Sequence, residues 1–307
     1  MTDIAAKEGA VEAPAPAVSV VVSAYRSERT MGAFLETLYR QTFRDFETLI
    51  VDSSPDEGTA QATAAFPEVE LVRSRSRLFP HDARNLGMAQ ARGELLAFFD
   101  PDVYLEPDCL EVLVASFRRQ RQPISGAIDC HGHGWLDTGI HLTKFAKWLP
   151  GQPAGAVNVG PTANFLVSRE MFDRVGGFRG GNMVMDAVFS WDLEKSGWEI
   201  RFEPAAVVAH HHLSSLRQFL RERYERGLVY AGTRLDWEGS GFGRRLALLV
   251  ASACGLRMPR ILWLVARSCR AAGRGGDFLR TLPLVVLGHQ LGLWGEAVGY
   301  ARRLRKG

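Results

Sequence analysis

No CxxC pair occurs in this sequence, and its four cysteines (Cys109, Cys130, Cys254 and Cys269) are scattered. That argues against a zinc ribbon and against a disulfide framework, and it fits a reducing compartment. The first 17 residues hold no apolar h-region; rich in Ala, Pro and Glu, they read as a disordered tail rather than a signal peptide. Ser23-Ala-Tyr-Arg-Ser27, which follows the first apolar run, contains no glycine. This removes the Gly-rich phosphate loop expected of a sugar-nucleotide pyrophosphorylase and the GxGxxG of a dinucleotide dehydrogenase. A clean stretch of about 20 uncharged apolar residues is also missing, so a simple membrane-spanning helix is not expected. No internal repeat is visible.

What is present is enough for one large α/β domain and a smaller appendage: 307 residues, 46% of them apolar and 23% charged. The net charge of +3 hides an asymmetry. From Leu213 onward there are 17 basic and 6 acidic residues, a net of +11, whereas residues 1–212 carry 20 and 28, a net of −8. In the basic part the arginines are interleaved with Leu, Val and Trp. This fits an anionic membrane face better than the polar positive surface of a nucleic-acid binder, so no nucleic acid is expected as partner.

Along the chain, Val18-Ser-Val-Val-Val22 reads as a strand buried on both faces of a parallel sheet. Met31, Phe34, Leu35 and Leu38 repeat at helical spacing within 29–40. Strands follow at Phe46–Val51, Val69–Val72 and Leu95–Phe99, with helices at 59–66 and about 82–92. Such alternation implies right-handed βαβ units and a mainly parallel sheet, whose ligands bind beyond the carboxyl ends of the strands. Three polar strand ends then converge on one edge: Ser23-Ala24-Tyr25, Asp52-Ser-Ser54 and Asp100-Pro-Asp102. Residues 121–160, rich in Gly, Pro and His, carry no clear element and are expected to cross the sheet edge. Beyond them, a short strand, helix and glycine turn fit 160–178, a helix fits 185–196, and short strands fit 199–202 and 207–209.

Asp100 and Asp102 flank one residue at a strand end. Paired carboxylates there suit a hard divalent cation bridging to substrate phosphates, although DxD alone is equally a solvated turn. Asp52 suits a nucleobase N–H or a ribose hydroxyl, or else an Asx-turn. Of His210-His211-His212, alternation lets at most two face one pocket, and His210 is the metal candidate; a solvated strand end is the alternative. Asn164 and Gly176-Gly177 are candidates to border a sugar, with a simple turn as the other reading of the glycines. Trp191 and Trp198 have the shape to stack on a sugar ring or to fill the core.

Together these segments carry a resemblance. VSVVVSAYRSERTMGAFLETLYRQTFRDFETLIVDSSPDEGT, HDARNLGMAQARGELLAFFDPDVYLEPDCLE, NFLVSREMFDRVGGF and FEPAAVVAHH, in this order over Val18–His212, resemble family 2 glycosyltransferases. The resemblance implies a GT-A fold over 18–212, a nucleoside-diphosphate sugar as donor, a divalent metal (Mn²⁺ or Mg²⁺) and inversion at the anomeric carbon. It implies that Ser23, Ala24, Tyr25, Asp52, Arg84 and Asp100 bind the donor, that Asp102 and His210 hold the metal, and that Asp186 is the catalytic base. Asn164, Gly177 and Trp191 then fall in the sugar or acceptor pocket. Asp186 alone also reads as a helix N-cap. Three positions depart from the family pattern. Ser53 stands where a second Asp is usual, Met185 where Glu precedes the base, and Asp192 where Arg follows the Trp. A degenerate transferase kept as a membrane scaffold or binding protein is therefore the alternative function.

In 213–307, LRQFLRERYERGLVY reads as an amphipathic helix. Leu246–Ala266 and Leu282–Tyr300 are apolar but interrupted by charged or polar residues, so interfacial or re-entrant helices fit better than a transmembrane pair. The expectation is a peripheral or shallowly inserted enzyme on the cytoplasmic face of the cell membrane, with a glycan or lipid-linked acceptor. A helical cap on the catalytic domain, or a dimer interface, is the other reading.

Overall fold

The computed structural model describes residues 14–213 and 215–305. Most of the expected tail, residues 1–13, lies outside them. The chain order is β1 (Val18–Ala24), α1 (Met31–Leu38), β2 (Phe46–Asp52), α2 (Gly58–Thr63), β3 (Val69–Arg73), α3 (Pro80–Met88), β4 (Leu95–Phe99), β5 (Val103–Leu105), α4 (Cys109–Gln120), β6 (Ile124–Cys130) and α5 (Trp135–Phe145). A short 3₁₀ turn (Ala146–Trp148) leads to β7 (Gly155–Ala156), β8 (Asn164–Ser168), α6 (Arg169–Arg174), α7 (Met185–Lys195) and β9 (Arg201–His210). Four helices close the chain: α8 (Leu216–Glu238), α9 (Phe242–Ala253), α10 (Met258–Ala271) and α11 (Gly275–Leu304).

Among the described residues nine strands join one sheet in the order β3-β2-β1-β4-β8-β6-β9-β5, with β7 on β9. The first half is parallel, as the strand–helix alternation requires; β1 lies between β2 and β4, which is why its β-branched run is buried on both faces. The second half is mixed, since β8 runs antiparallel to both β4 and β6 while β6 and β9 are parallel. The expected strands at 199–202 and 207–209 are one strand, β9, with a register irregularity opposite Gly126/Ala127 on β6. Strand β6 and helix α5 occupy the 121–160 segment that had no clear element; ISGAIDC is only partly apolar, yet it is buried between β8 and β9.

The register carries the strand ends to one edge. Ala24 pairs with Asp52 and Val22 with Phe99, so Ser23–Tyr25, Asp52–Ser54 and Asp100–Asp102 emerge side by side. Immediately after the DxD turn, β5 pairs antiparallel with the end of β9, placing Val103 opposite His210. This pairing brings the histidine run to the same edge.

The C-terminal helices pack onto the sheet domain around α11. Helix α8 starts with a capping box, Ser215 and Gln218. It lies so close to α11 that a Cβ on Gly227 would fall 2.1 Å from the Gly292 carbonyl oxygen, and one on Gly295 would fall 2.1 Å from that of Tyr224. Gly288, Gly292, Gly295 and Gly299 recur on one face of α11 at helical spacing, and this seam lets the two backbones approach. Among the described residues no single helix is long and apolar enough to cross a membrane; α9 and α10 together pass that test only as a pair bent by 67°.

Candidate active site

At the strand-end edge lies a cleft of about 430 Å³ lined by Ser23, Ala24, Tyr25, Ser53, Arg77, Asp100 and Asp102, with Leu213 at its margin. The turn after β1 is held by two local bonds: Ser27 Oγ accepts from the Tyr25 amide (3.2 Å) and Ser54 Oγ from the Arg26 amide (2.7 Å), with Arg26 at a φ of +52°. This fixes Tyr25, whose ring carries the Arg77 guanidinium at 4.4 Å. Asp52 is fully buried behind Ser53. Its Oδ1 accepts from the Ser54 amide (2.9 Å), an Asx-turn, while its Oδ2 has no hydrogen-bond partner and faces Arg73 at 3.7 Å. Asp52 thus makes the Asx-turn, and it does not itself line the cleft.

Asp100, Asp102 and His210 bring three ligand atoms within 4.8 Å of one another, although 110 residues separate the first from the last. His210 Nε2 lies 3.8 Å from Asp102 Oδ1, and its Nδ1 is buried without a partner. Burial and the Lys144 charge push His210 down to about 4, leaving the neutral imidazole that ligates metals. Burial and the like charge of Asp100 push Asp102 up to about 7, a conflict that a cation relieves. Two carboxylates and a neutral imidazole, one nitrogen unpartnered, therefore fit a divalent cation.

His212 shares the His210 face, its ring stacked at 4.5 Å, whereas His211 turns away to Tyr104 (Nδ1 to OH, 3.0 Å). A second set of metal-capable groups, Cys130, His141 and His212, lies behind the first. There His141 Nε2–H donates to the Ile128 carbonyl (3.1 Å), which leaves Nδ1 to accept from His212 Nε2–H (3.1 Å). Cys130 Sγ in turn donates to the Gly132 carbonyl, so these groups bond within the protein.

Arg84 is 1% exposed and does not line the cleft. It donates to Asp100 Oδ1 (2.5 Å) and to the Phe99 carbonyl (3.4 Å), so its charge reaches the cleft by fixing Asp100. Asn164 is fully buried in the sheet, its amide bonded to the Ala127 and Ala206 carbonyls (2.9 Å each), away from any cleft surface. Gly177 takes a φ of +72° in the turn after α6, packed under Phe172 and Asn85. Trp191 packs against Trp237 and Tyr230 of α8 (5.2 and 5.9 Å between centroids), so it joins the catalytic domain to the C-terminal helices. Asp192 holds Arg179 with two 2.9 Å bonds and accepts from Trp237 Nε1, which gives this departure from the family pattern a structural task.

Asp186 sits in the first turn of α7, beyond the N-cap position held by Val184. It lines a second cavity of about 390 Å³, walled by α5, α8, α10 and α11. Arg226 of α8 approaches both of its oxygens (3.2 and 3.3 Å). Burial alone would raise the Asp186 carboxyl, but Arg226 and then His81 outweigh it and hold the group below the usual carboxylate range. His81 is buried on α3 and pushed down to about 4 by burial and Arg84, with the Asp186 and Asp100 charges acting in the opposite direction. Neither His81 nor Arg226 had a signal in the sequence: each is one polar residue on a helix, placed only by the packing.

An α/β sheet with a DxD turn at the carboxyl edge of its strands, joined there by a histidine from the last strand, defines a protein of the GT-A type. The chain belongs to glycosyl transferase family 2, whose model matches residues 19–185, more than half its length. It is 24% identical over 293 aligned residues to a pre-mycofactocin glycosyltransferase of Mycobacterium tuberculosis, covering 85% of this chain but 59% of that protein. It is also 26% identical over 211 residues to the glycosyltransferase AglE of Haloferax volcanii, covering 64% of this chain and 67% of the relative. Among solved structures, the mannosyltransferase PcManGT of Pyrobaculum calidifontis, in complex with GDP-Man and Mn²⁺, matches with a TM-score of 0.63. That match has 20% identity and covers 94% of this chain and 87% of the other, a likeness of fold that includes the C-terminal helices.

Proposed function

We propose that this chain transfers a sugar from a nucleoside-diphosphate sugar to a hydroxyl of a glycan or lipid-linked acceptor, with inversion. The observation that carries the reading is the meeting of Asp100, Asp102 and His210 beside the Ser23–Tyr25 and Ser53 strand ends. PcManGT, the similar fold, was solved with a nucleotide sugar and Mn²⁺, which supports a donor and a divalent metal of that kind here. The nucleoside lies against Tyr25, with Arg77 at the rim and Asp52 holding the Ser53–Ser54 turn from beneath through the Ser54 amide. Asp102 and His210 would hold the metal, and Arg84 fixes Asp100 beside them. A divalent cation there supplies Lewis-acid stabilisation of charge on the departing diphosphate. Asp186 takes the proton of the acceptor hydroxyl as that oxygen attacks the anomeric carbon from the side opposite the leaving group.

One observation favours the alternative of a binding protein: the Asp186 carboxylate is occupied by Arg226. A single assay separates the two. The protein is incubated with a panel of sugar nucleotides and Mn²⁺, and released nucleoside diphosphate is measured. Release from one donor that disappears with EDTA supports the transferase. No release from any donor, even with membrane extract as acceptor, leaves the binding protein.

We also propose that the C-terminal helices rest on the cytoplasmic face of the cell membrane. Phe242, Leu246, Val250, Leu256, Trp263, Leu279, Leu287 and Trp294 are exposed large apolar side chains, all on these helices or the turns between them, interspersed with arginines. The protein should float with vesicles containing anionic lipid. If Leu256→Glu combined with Trp263→Glu floats as well as the wild type, the placement is wrong.

A further inference from the structure

The cavity in front of Asp186 is strongly cationic. Lys144, Lys147, Arg223, Arg226 and Arg257 line it, against the two carboxylates of Asp186 and Glu296. Three of the cations have partners: Arg226 with Asp186, Arg257 with Glu296, and Lys144 with Glu222. Among the described residues, Lys147 and Arg223 have no carboxylate within ion-pair distance. Arg223 Nε, Trp148 Nε1 and His289 Nε2 are buried without hydrogen-bond partners, and all three residues line this same cavity. Unpaired buried polar groups are rare in folded proteins, and the Arg223 and Trp148 N–H groups, which can only donate, call for an acceptor. Burial and the neighbouring Arg226 charge push Arg223 down to about 10, a burden that an anion would lift.

We propose that this cavity receives the acceptor through an anionic, phosphate-class group held by Arg223 and Lys147, so that the hydroxyl to be glycosylated lies at Asp186. The word acceptor rests on the transferase reading above; the anion site itself stands on the cavity. An anion seated there also competes with Asp186 for Arg226, so that filling the site frees the carboxylate for the hydroxyl proton. The C-terminal helices then have a second task besides any membrane contact: α8 supplies the anion-binding side chain and completes the acceptor site.

The test is calorimetric titration of the full chain with inorganic pyrophosphate in EDTA, which excludes metal-bridged binding at Asp100 and Asp102; any binding to Arg26 and Arg77 of the donor cleft is read from Arg77→Gln. Arg223→Gln should weaken binding about tenfold, as loss of one charge-assisted hydrogen bond does, and Arg223→Lys should restore most of it. Arg77→Gln, which removes a cation from the donor cleft, should leave the affinity unchanged. If Arg223→Gln does not fold, as judged by its melting curve, Lys147→Gln takes its place with the same expectation. Absence of binding by the wild type overturns the proposal, as does binding weakened by Arg77→Gln but not by Arg223→Gln or Lys147→Gln. Flotation with phosphatidic acid vesicles, with and without pyrophosphate, distinguishes the source. Displacement by pyrophosphate, lost in Arg223→Gln, assigns the group to a lipid; Arg223-dependent pyrophosphate binding without displacement assigns it to a soluble phosphate. A chain that binds pyrophosphate through Arg223 yet releases nucleotide from no donor keeps the anion site and loses the transferase reading.

Discussion

The two cavities of this protein are built in opposite ways. The donor cleft sets Arg26 and Arg77 against Asp100 and Asp102 and is formed largely by strand ends, so its side chains are placed by sheet register: Asp52 beside Ala24, and the DxD turn beside Ser23 and His210. The Asp186 cavity is cationic and lies between helices, where α5 and α7 of the catalytic domain meet α8, α10 and α11. Its shape depends on glycine seams and on side chains, such as Arg226 and Trp191, that bridge α7 and α8. A ladder of backbone hydrogen bonds tolerates surface change, whereas a wall set by helix packing shifts as a unit with the helix. The donor side should therefore resist substitutions in 216–304 that disable the acceptor side.

Asp186→Asn gives the largest expected effect. It should lower sugar transfer about a thousandfold, within the range for loss of a general base, while leaving donor affinity unchanged in a nucleotide titration. A fall in donor affinity of similar size would merge the two cavities into one. Asp102→Ala should lower nucleoside diphosphate release about a hundredfold and remove its response to Mn²⁺. Release that keeps its Mn²⁺ dependence would move the metal elsewhere.

Gly227→Ala sets a methyl group against the Gly292 carbonyl and should destabilise the chain by about 2–3 kcal/mol, read as a lower midpoint in urea. If the cavities are independent, the folded variant still binds nucleotide. Equal loss of donor and acceptor function would break the comparison.

The smallest effect is on pH. Burial, then the His210 charge, pushes His141 down to about 3, below its unfolded value. The unfolded chain then binds the extra proton between about 6.5 and 3, so stability is fully present above 6.5 and falls as pH drops through that window. The loss is about 2 kcal/mol by pH 5. His141→Gln should flatten the fall in melting temperature from pH 6.5 to 5; an unchanged slope would mean that His141 is protonated in the folded state.

What could be read from the chain alone follows this division. The strands at 18–24, 46–52 and 95–99 announce themselves by apolar runs ending in polar turns, and alternation with helices makes them parallel, which is enough to bring Asp52 and Asp100–Asp102 to one edge. Strand β6 was hidden because ISGAIDC lacks a continuous apolar run and is buried by its neighbours instead. Asn164, Gly177 and Trp191 could be matched to a motif, but which way they face depends on β6, β9 and α8 and not on local pattern. The glycines of α11 were visible as composition, yet their meaning appears only when α8 lies against them.

The sequence by itself determined the α/β class, the family and the strand-end carboxylates, because side-chain periodicity and turn chemistry are local and the sheet inherits them. Only the tertiary structure decided that His210 reaches Asp102, that Arg84 serves Asp100 from beneath, and that Asp186 opens toward Arg223 and Arg226. Those meetings join residues tens to more than a hundred positions apart. They are set by β5–β9 pairing and helix packing, which no short window of sequence encodes.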